Sequence, residues 1–164
     1  MKTTKLLAYI AAGLQFLVLV GILLLTFSQK SIIDPHIVKD MGKGFVLPLP
    51  VIVTNLLFFL VMIGYAVLIQ FTGMYNKAAK NAVGIGMIVL AIMVQCLNPY
   101  ISLGIQKILF KLYHSVKIAG YSSLISHINL MTLPVSTVAT ALFYLAGGSY
   151  LKANVVKKEE TEEE

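Results

Sequence analysis

The chain has 164 residues, of which 58% are apolar and only 12% charged, with thirteen Lys, no Arg, seven acids and a formal net charge of +6. Soluble domains carry about a quarter of their residues as Asp, Glu, Lys or Arg, so half that fraction, with a mean hydropathy of +0.86, excludes the ordinary soluble classes. All five Glu follow Lys158, which leaves residues 1–158 with thirteen Lys against two Asp, a formal +11. That excess suits anionic lipid headgroups. The Lys are scattered over every loop, so no nucleic-acid partner is expected. Cys96 is the only cysteine, which excludes an intramolecular disulfide, C-x-x-C redox chemistry and a multi-thiolate metal site.

Four windows contain no charged residue: 6–29, 44–76, 81–106 and 118–151, together 117 residues. A spanning helix needs about twenty mostly apolar residues to cross roughly 30 Å of hydrocarbon, and each window supplies one. The sequence therefore predicts an all-α integral membrane four-helix bundle in one domain, residues 1–152, followed by a solvated acidic tail, 153–164.

Helix one is expected over 5–28. Its apolar run is longer than a secretory h-region and no A-x-A site follows, so it reads as a retained helix. Gln15 interrupts it, and Ala8 and Ala12 sit at helical spacing, where small residues permit close packing. Residues 34–42 then read as a short interfacial helix, with Asp34 as N-cap, Pro35 in the first position and Gly42 as the stop. Helix two is expected over 45–71, with Pro48 and Pro50 in its first turns, where a missing amide donor costs little. Helix three is expected over 78–103, with Pro99 marking either its end or a kink. Residues 105–118 form a basic amphipathic segment, Ile105, Ile108, Leu109, Leu112 and Val116 on one face and Lys107, Lys111 and His114 on the other, suited to lie in the membrane interface. Helix four is expected over 121–146, bent at Pro134 and stopped at Gly147-Gly148.

The two long loops share a pattern. Gln29-Lys30 precedes His36-x-Val38-Lys39-x-x-Gly42, and Gln106-Lys107 precedes His114-x-Val116-Lys117-x-x-Gly120. This predicts two similar helical hairpins, a 2+2 parallel pseudo-repeat. Lys counts set seven on the side of the termini against six on the other. The short acid-free turn and the polar tail place both termini in the cytoplasm, in the plasma membrane of the cell.

The charge-free windows hold no acid, which removes the buried carboxylate of a simple proton-coupled exporter and the carboxylate dyads of many enzymes. No metalloprotease, phosphate-loop or dinucleotide motif occurs, and no cofactor is expected. Helix four carries the most informative polar pattern: Ser122, Ser126, Asn129, Thr132, Ser136 and Thr140 fall within about 120° of arc. Such a face either lines a ligand pocket or hydrogen-bonds across helix contacts. His36, His114 and His127 fall on one membrane side, where three imidazoles would suit a metal ion or a pH sensor if they converged. Lys107, Lys111 and Lys117 are the candidate lipid-facing basic residues. Met41, Met62, Met74, Met87, Met93 and Met131 are read as packing residues.

The function expected from these features is non-enzymatic: an accessory, scaffolding or sensing subunit binding lipid or a membrane protein, another copy of itself included. In that role Ala8, Ala12, Ala82 and Gly86 are expected on outward faces. The alternative is an oligomeric transporter or binding protein for a small apolar or zwitterionic molecule held along the Asn129–Thr140 face. An intramembrane enzyme ranks third.

Overall fold

The computed structural model describes residues 2–28, 48–74, 77–112 and 121–162, with side-chain environments for 2–28, 51–71, 78–96 and 126–153. All of it is helical apart from short connecting positions, and four helices are long and apolar enough to cross a membrane. They are α1 (Lys2–Phe27), α2 (Leu49–Leu68), α3 (Lys77–Leu112) and α4 (Tyr121–Glu162).

Along α1 the buried positions are Thr4, Ala8, Ala11, Gln15, Val18, Ile22 and Thr26 with their neighbours Ala12 and Leu19. Steps of three and four residues define one inward seam. The bulky residues lie outside it: Leu6 is 60% exposed, Leu17 58% and Leu24 62%. In a soluble bundle this distribution would be inverted. Here lipid tails are as apolar as leucine, so little is gained by hiding Leu; small residues go inside because they let backbones approach. Ala8 and Ala12, at 0% and 1% exposure, therefore belong to the interior. The expectation that they form an outward contact face is corrected on that ground.

Pro48 precedes α2, and the amides of Val51 and Ile52 donate to its carbonyl at 3.0 and 3.1 Å. Pro50 stands in the first turn, where its missing N–H would have had no helical acceptor. At its far end α2 tightens into a 3-10 segment, Ile69–Met74, broken by non-helical torsions at Phe71. The α-helix ends at Leu68, and the expected end at 71 falls within the 3-10 segment.

Two helices run past their expected ends at 103 and 146. α3 continues through Pro99 to Leu112, 36 residues in all, about 54 Å at 1.5 Å per residue. Pro99 removes the ladder bond to the Gln95 carbonyl, and the intact turns on either side carry the helix across that gap. The first half of the basic segment, 105–112, is consequently an extension of α3 rather than a separate element; residues 34–42 and 113–118 lie outside the described residues, as do the side chains that would test the loop pseudo-repeat.

α4 likewise runs through Gly147-Gly148 and residues 153–162 of the expected tail to Glu162, 42 residues. Gly147 is used for contact instead of termination. A Cβ there would stand 3.0 Å from the Gly84 carbonyl oxygen, Ile88 Cγ1 and Met87 Cβ, and one at Gly84 would stand 2.7 Å from Leu151. The two glycines sit where α3 and α4 pack closely.

Helices adjacent in sequence pack as neighbours, and α4 closes the ring against α1, with the α1–α4 and α3–α4 contacts the most extensive. Successive pairs are antiparallel: Gln15 meets Asn55 while Tyr9 meets Gln70, and Thr4 meets Ser149. The end of the bundle near the start of α1 is tightly packed and apolar, built from Ala8, Ala11, Ala12, Met62, Ala66, Met87, Ala91, Phe143, Ala146 and Tyr150. Tyr65 and Phe143 meet edge to face at 5.9 Å, a favoured aromatic geometry. Met62 and Met87, both fully buried, fill this end as packing residues.

Candidate functional site

Beyond that apolar end the bundle interior changes character. Gln15 on α1 is 0% exposed and Asn55 on α2 4%. Gln15 Nε2 donates to Asn55 Oδ1 at 3.0 Å, and Asn55 Nδ2 donates to the Val51 carbonyl at 2.8 Å. Asn55 is thereby held in one orientation from both sides. Among the described residues Gln15 Oε1 has no hydrogen-bond partner. In a bilayer an amide oxygen without a donor is costly, because no bulk water reaches it.

Asn55 is also one wall of a partly enclosed cavity of about 110 Å³, whose other lining residues are Val94 and Gln95 from α3 and Asn129, Thr132, Leu133 and Ser136 from α4. Five of these seven side chains are polar and none is charged. Thr132 Oγ1 donates to the Ile128 carbonyl at 2.8 Å, the usual back-bond of a helical threonine, so its hydroxyl oxygen keeps acceptor capacity for a guest. The lining thus offers both donors and acceptors, fixed on helices.

Gln95, an exposed residue, also lines a second space. On the lipid-facing side of α3 and α4 lies a groove of about 220 Å³ lined by Ala91, Ile92, Gln95, Thr137, Thr140, Ala141 and Tyr144. Gln95 Nε2 donates to Thr137 Oγ1 at 3.3 Å, and Thr140 Oγ1 donates to the Ser136 carbonyl at 2.7 Å. The groove is otherwise apolar.

Of the polar face read from the sequence, Asn129, Thr132 and Ser136 line the cavity, and Thr140 is buried but lines the groove. Ser126 is exposed, so it does not join them. The side chain of Ser122 lies outside the described residues. Thr137, one position off the face, is the residue that reaches Gln95.

His127 is exposed near the start of α4, while His36 and His114 lie outside the described residues. Among the described residues no group of three His, Cys, Asp or Glu side chains is gathered to hold a metal. Lys107 and Lys111 ride on the extension of α3, with Lys117 outside the described residues. Ala82 is exposed, but Gly86 faces α2, where a Cβ would stand 2.5 Å from the Tyr65 hydroxyl.

The residue that sequence reasoning undervalued is Gln15. It was visible as the one strongly polar side chain in the apolar run of α1. Its partner was not, because a bond across 40 residues of sequence leaves no local mark. Comparison with known protein families, curated proteins and solved structures gives no match, so the functional argument rests on the chain's own residues.

Proposed function

We propose that this chain is a non-enzymatic membrane protein that binds a small uncharged polar group inside its helix bundle, for transport or for sensing. The observation that carries the reading is the convergence of Asn55, Gln95, Asn129, Thr132 and Ser136, from three helices, on one cavity. Asn55 and Gln95 also bond across helices, to Gln15 and Thr137, yet all five side chains border one common space. Gln15 behind Asn55 adds a buried oxygen in need of a donor. The lining has no charge to pair with an ionised group, and an unpaired charge at membrane depth is expensive. That favours an uncharged guest over a zwitterionic one.

The reading of the chain as an accessory or scaffolding subunit drew on outward small residues, and it loses Ala8 and Ala12 to the interior. What still supports it is the excess of Lys outside the spans, suited to anionic headgroups. In either role we place the chain in the plasma membrane with its termini on the cytoplasmic side, on the argument from Lys placement and the acid-free turn.

The test is gentle extraction of the full chain at native expression level, followed by native mass spectrometry of the wild type and of an Asn129→Ala/Thr132→Ala/Ser136→Ala variant. A neutral molecule retained by the wild type and lost from a folded variant supports the proposal. A stoichiometric second protein, retained equally by both, with no small molecule in either, replaces it with the accessory reading.

A further inference from the structure

We infer that the guest is the hydroxyl or amide headgroup of an uncharged single-chain lipid, which enters sideways from the bilayer and leaves its hydrocarbon chain in the α3–α4 groove. This rests on the cavity being a binding site, as proposed above, and adds the class of ligand and its route.

Size is the first argument. Pockets for complete drug-sized molecules measure about 300–1,000 Å³, and even benzene occupies apolar cavities of about 150 Å³. The inner cavity, at about 110 Å³, accommodates a polar group better than a whole amphiphile. The groove beside it adds about 220 Å³, and the two spaces share Gln95.

The chemistry of the groove is the second argument. Ala91, Ile92, Ala141 and Tyr144 give it apolar walls, and Ile92, Ala141 and Tyr144 are themselves exposed on the outer surface of the spanning region. A groove that opens onto hydrocarbon is filled by hydrocarbon, since an empty one forfeits dispersion contacts along its whole length. Its occupant is thus a lipid chain, and a lipid whose head has somewhere polar to go is retained over one whose head does not.

Gln95 supplies the connection. Its bond to Thr137 lies at an exposed position on the groove side, so the amide is accessible to an arriving headgroup. The inner walls then present the amides of Asn55, Gln95 and Asn129 with the hydroxyls of Thr132 and Ser136. Such a set matches a head that both donates and accepts, as an alcohol or amide does. A carboxylate or phosphate would find no cation among these lining residues.

The experiment uses the full-length protein in lipid nanodiscs and three probes: a long-chain primary alcohol carrying a mid-chain diazirine, the matching fatty acid held ionised, and glycerol, which has hydroxyls and no chain. Photolabelling by the alcohol is expected to be saturable, to fall on residues 91–95 of α3 and 137–144 of α4, and to be competed by unlabelled alcohol. Filling the groove by Ala141→Phe, at an exposed position that leaves the interior untouched, should reduce saturable labelling about tenfold or more, the scale on which pocket shape discriminates. Ser136→Leu, which fills the inner cavity, should do the same, with circular dichroism confirming the helical fold of both variants.

Labelling spread over the outward faces of all four helices, alike for alcohol and acid, would show bulk hydrocarbon contact and overturn the inference. If Ser136→Leu abolishes capture while Ala141→Phe leaves it intact, or glycerol competes as well as the unlabelled alcohol, the inner site stands and the lipid assignment fails. If neither substitution acts, both the ligand class and the binding reading fail together.

Discussion

Replacing the buried amide pair separates binding from stability. Gln15→Leu removes the donor to Asn55 and also the orphaned Oε1. An interhelical polar bond in a membrane contributes about 0.6 kcal/mol, with a maximum near 1.7, whereas an unsatisfied buried group costs about 1–3 kcal/mol. The single substitution exchanges one orphan for another, because Asn55 Oδ1 loses its donor, so it should destabilise by about 0.5 kcal/mol, the value of the bond. The double variant Gln15→Leu/Asn55→Leu removes both carbonyls. It gives up the interhelical bond and the Asn55–Val51 bond, each worth of order 1 kcal/mol or less, against an orphan of about 2, so it should be neutral or up to about 1 kcal/mol more stable than wild type. Unfolding by an SDS titration in mixed micelles, followed by far-UV circular dichroism, measures the difference. A double variant weaker by 2 kcal/mol or more would mean that the pair is structural cement. In that event the polar end of the bundle needs no ligand to explain it.

Other substitutions test the packing. Gly147→Val should destabilise by about 1–3 kcal/mol through overpacking against Gly84 and Met87, while Gly148→Ala, with nothing near the new methyl, should stabilise by about 0.5–1 kcal/mol through helix propensity; the same titration reads both, and equal effects would refute the close approach. Ala12→Ile should cost about 1–3 kcal/mol and Ala82→Ile close to nothing, the reverse of what an outward Ala8–Ala12 face requires. Pro134→Ala restores the ladder bond to the Leu130 carbonyl and should raise stability while altering retention of the guest, since Asn129, Thr132 and Ser136 of the cavity flank the proline; unchanged retention in native mass spectrometry would detach the cavity from the proline. A cysteine placed near the end of α4, in a Cys96→Ala background, should react with an impermeant maleimide only after the cells are opened, and labelling of intact cells would reverse the orientation.

Much of the fold was written in one dimension. The four charge-free windows specify four spans because charge at membrane depth is expensive at every position, a rule that needs no knowledge of neighbours. The prolines at 48 and 50 bracket the start of α2 at Leu49 for an equally local reason, although that start was expected at 45. From the sequence Pro99 stays open between an end and a kink, and Gly147-Gly148 reads as a stop, because both residue types have two uses. Proline breaks a helix in water, yet inside a bundle the surrounding turns hold it; glycine ends a helix where water solvates its carbonyls, yet in a membrane it is also the residue that admits another backbone. Choosing between those uses requires knowing that Gly84 lies opposite Gly147.

The sequence by itself determined that this protein is a bundle of four membrane helices with a polar stripe on the last, since transfer into hydrocarbon acts residue by residue. Only the tertiary structure decided which polar residues meet. Gln15, Asn55, Gln95 and Asn129 come from four helices. No periodicity within one helix records its rotation relative to the others, because with leucine and lipid equally apolar the lipid-facing side carries no hydrophobic signature of its own. The rotation is set by small residues fitting against each other at the packed end of the bundle, and that fit is what brings the amides together at the other.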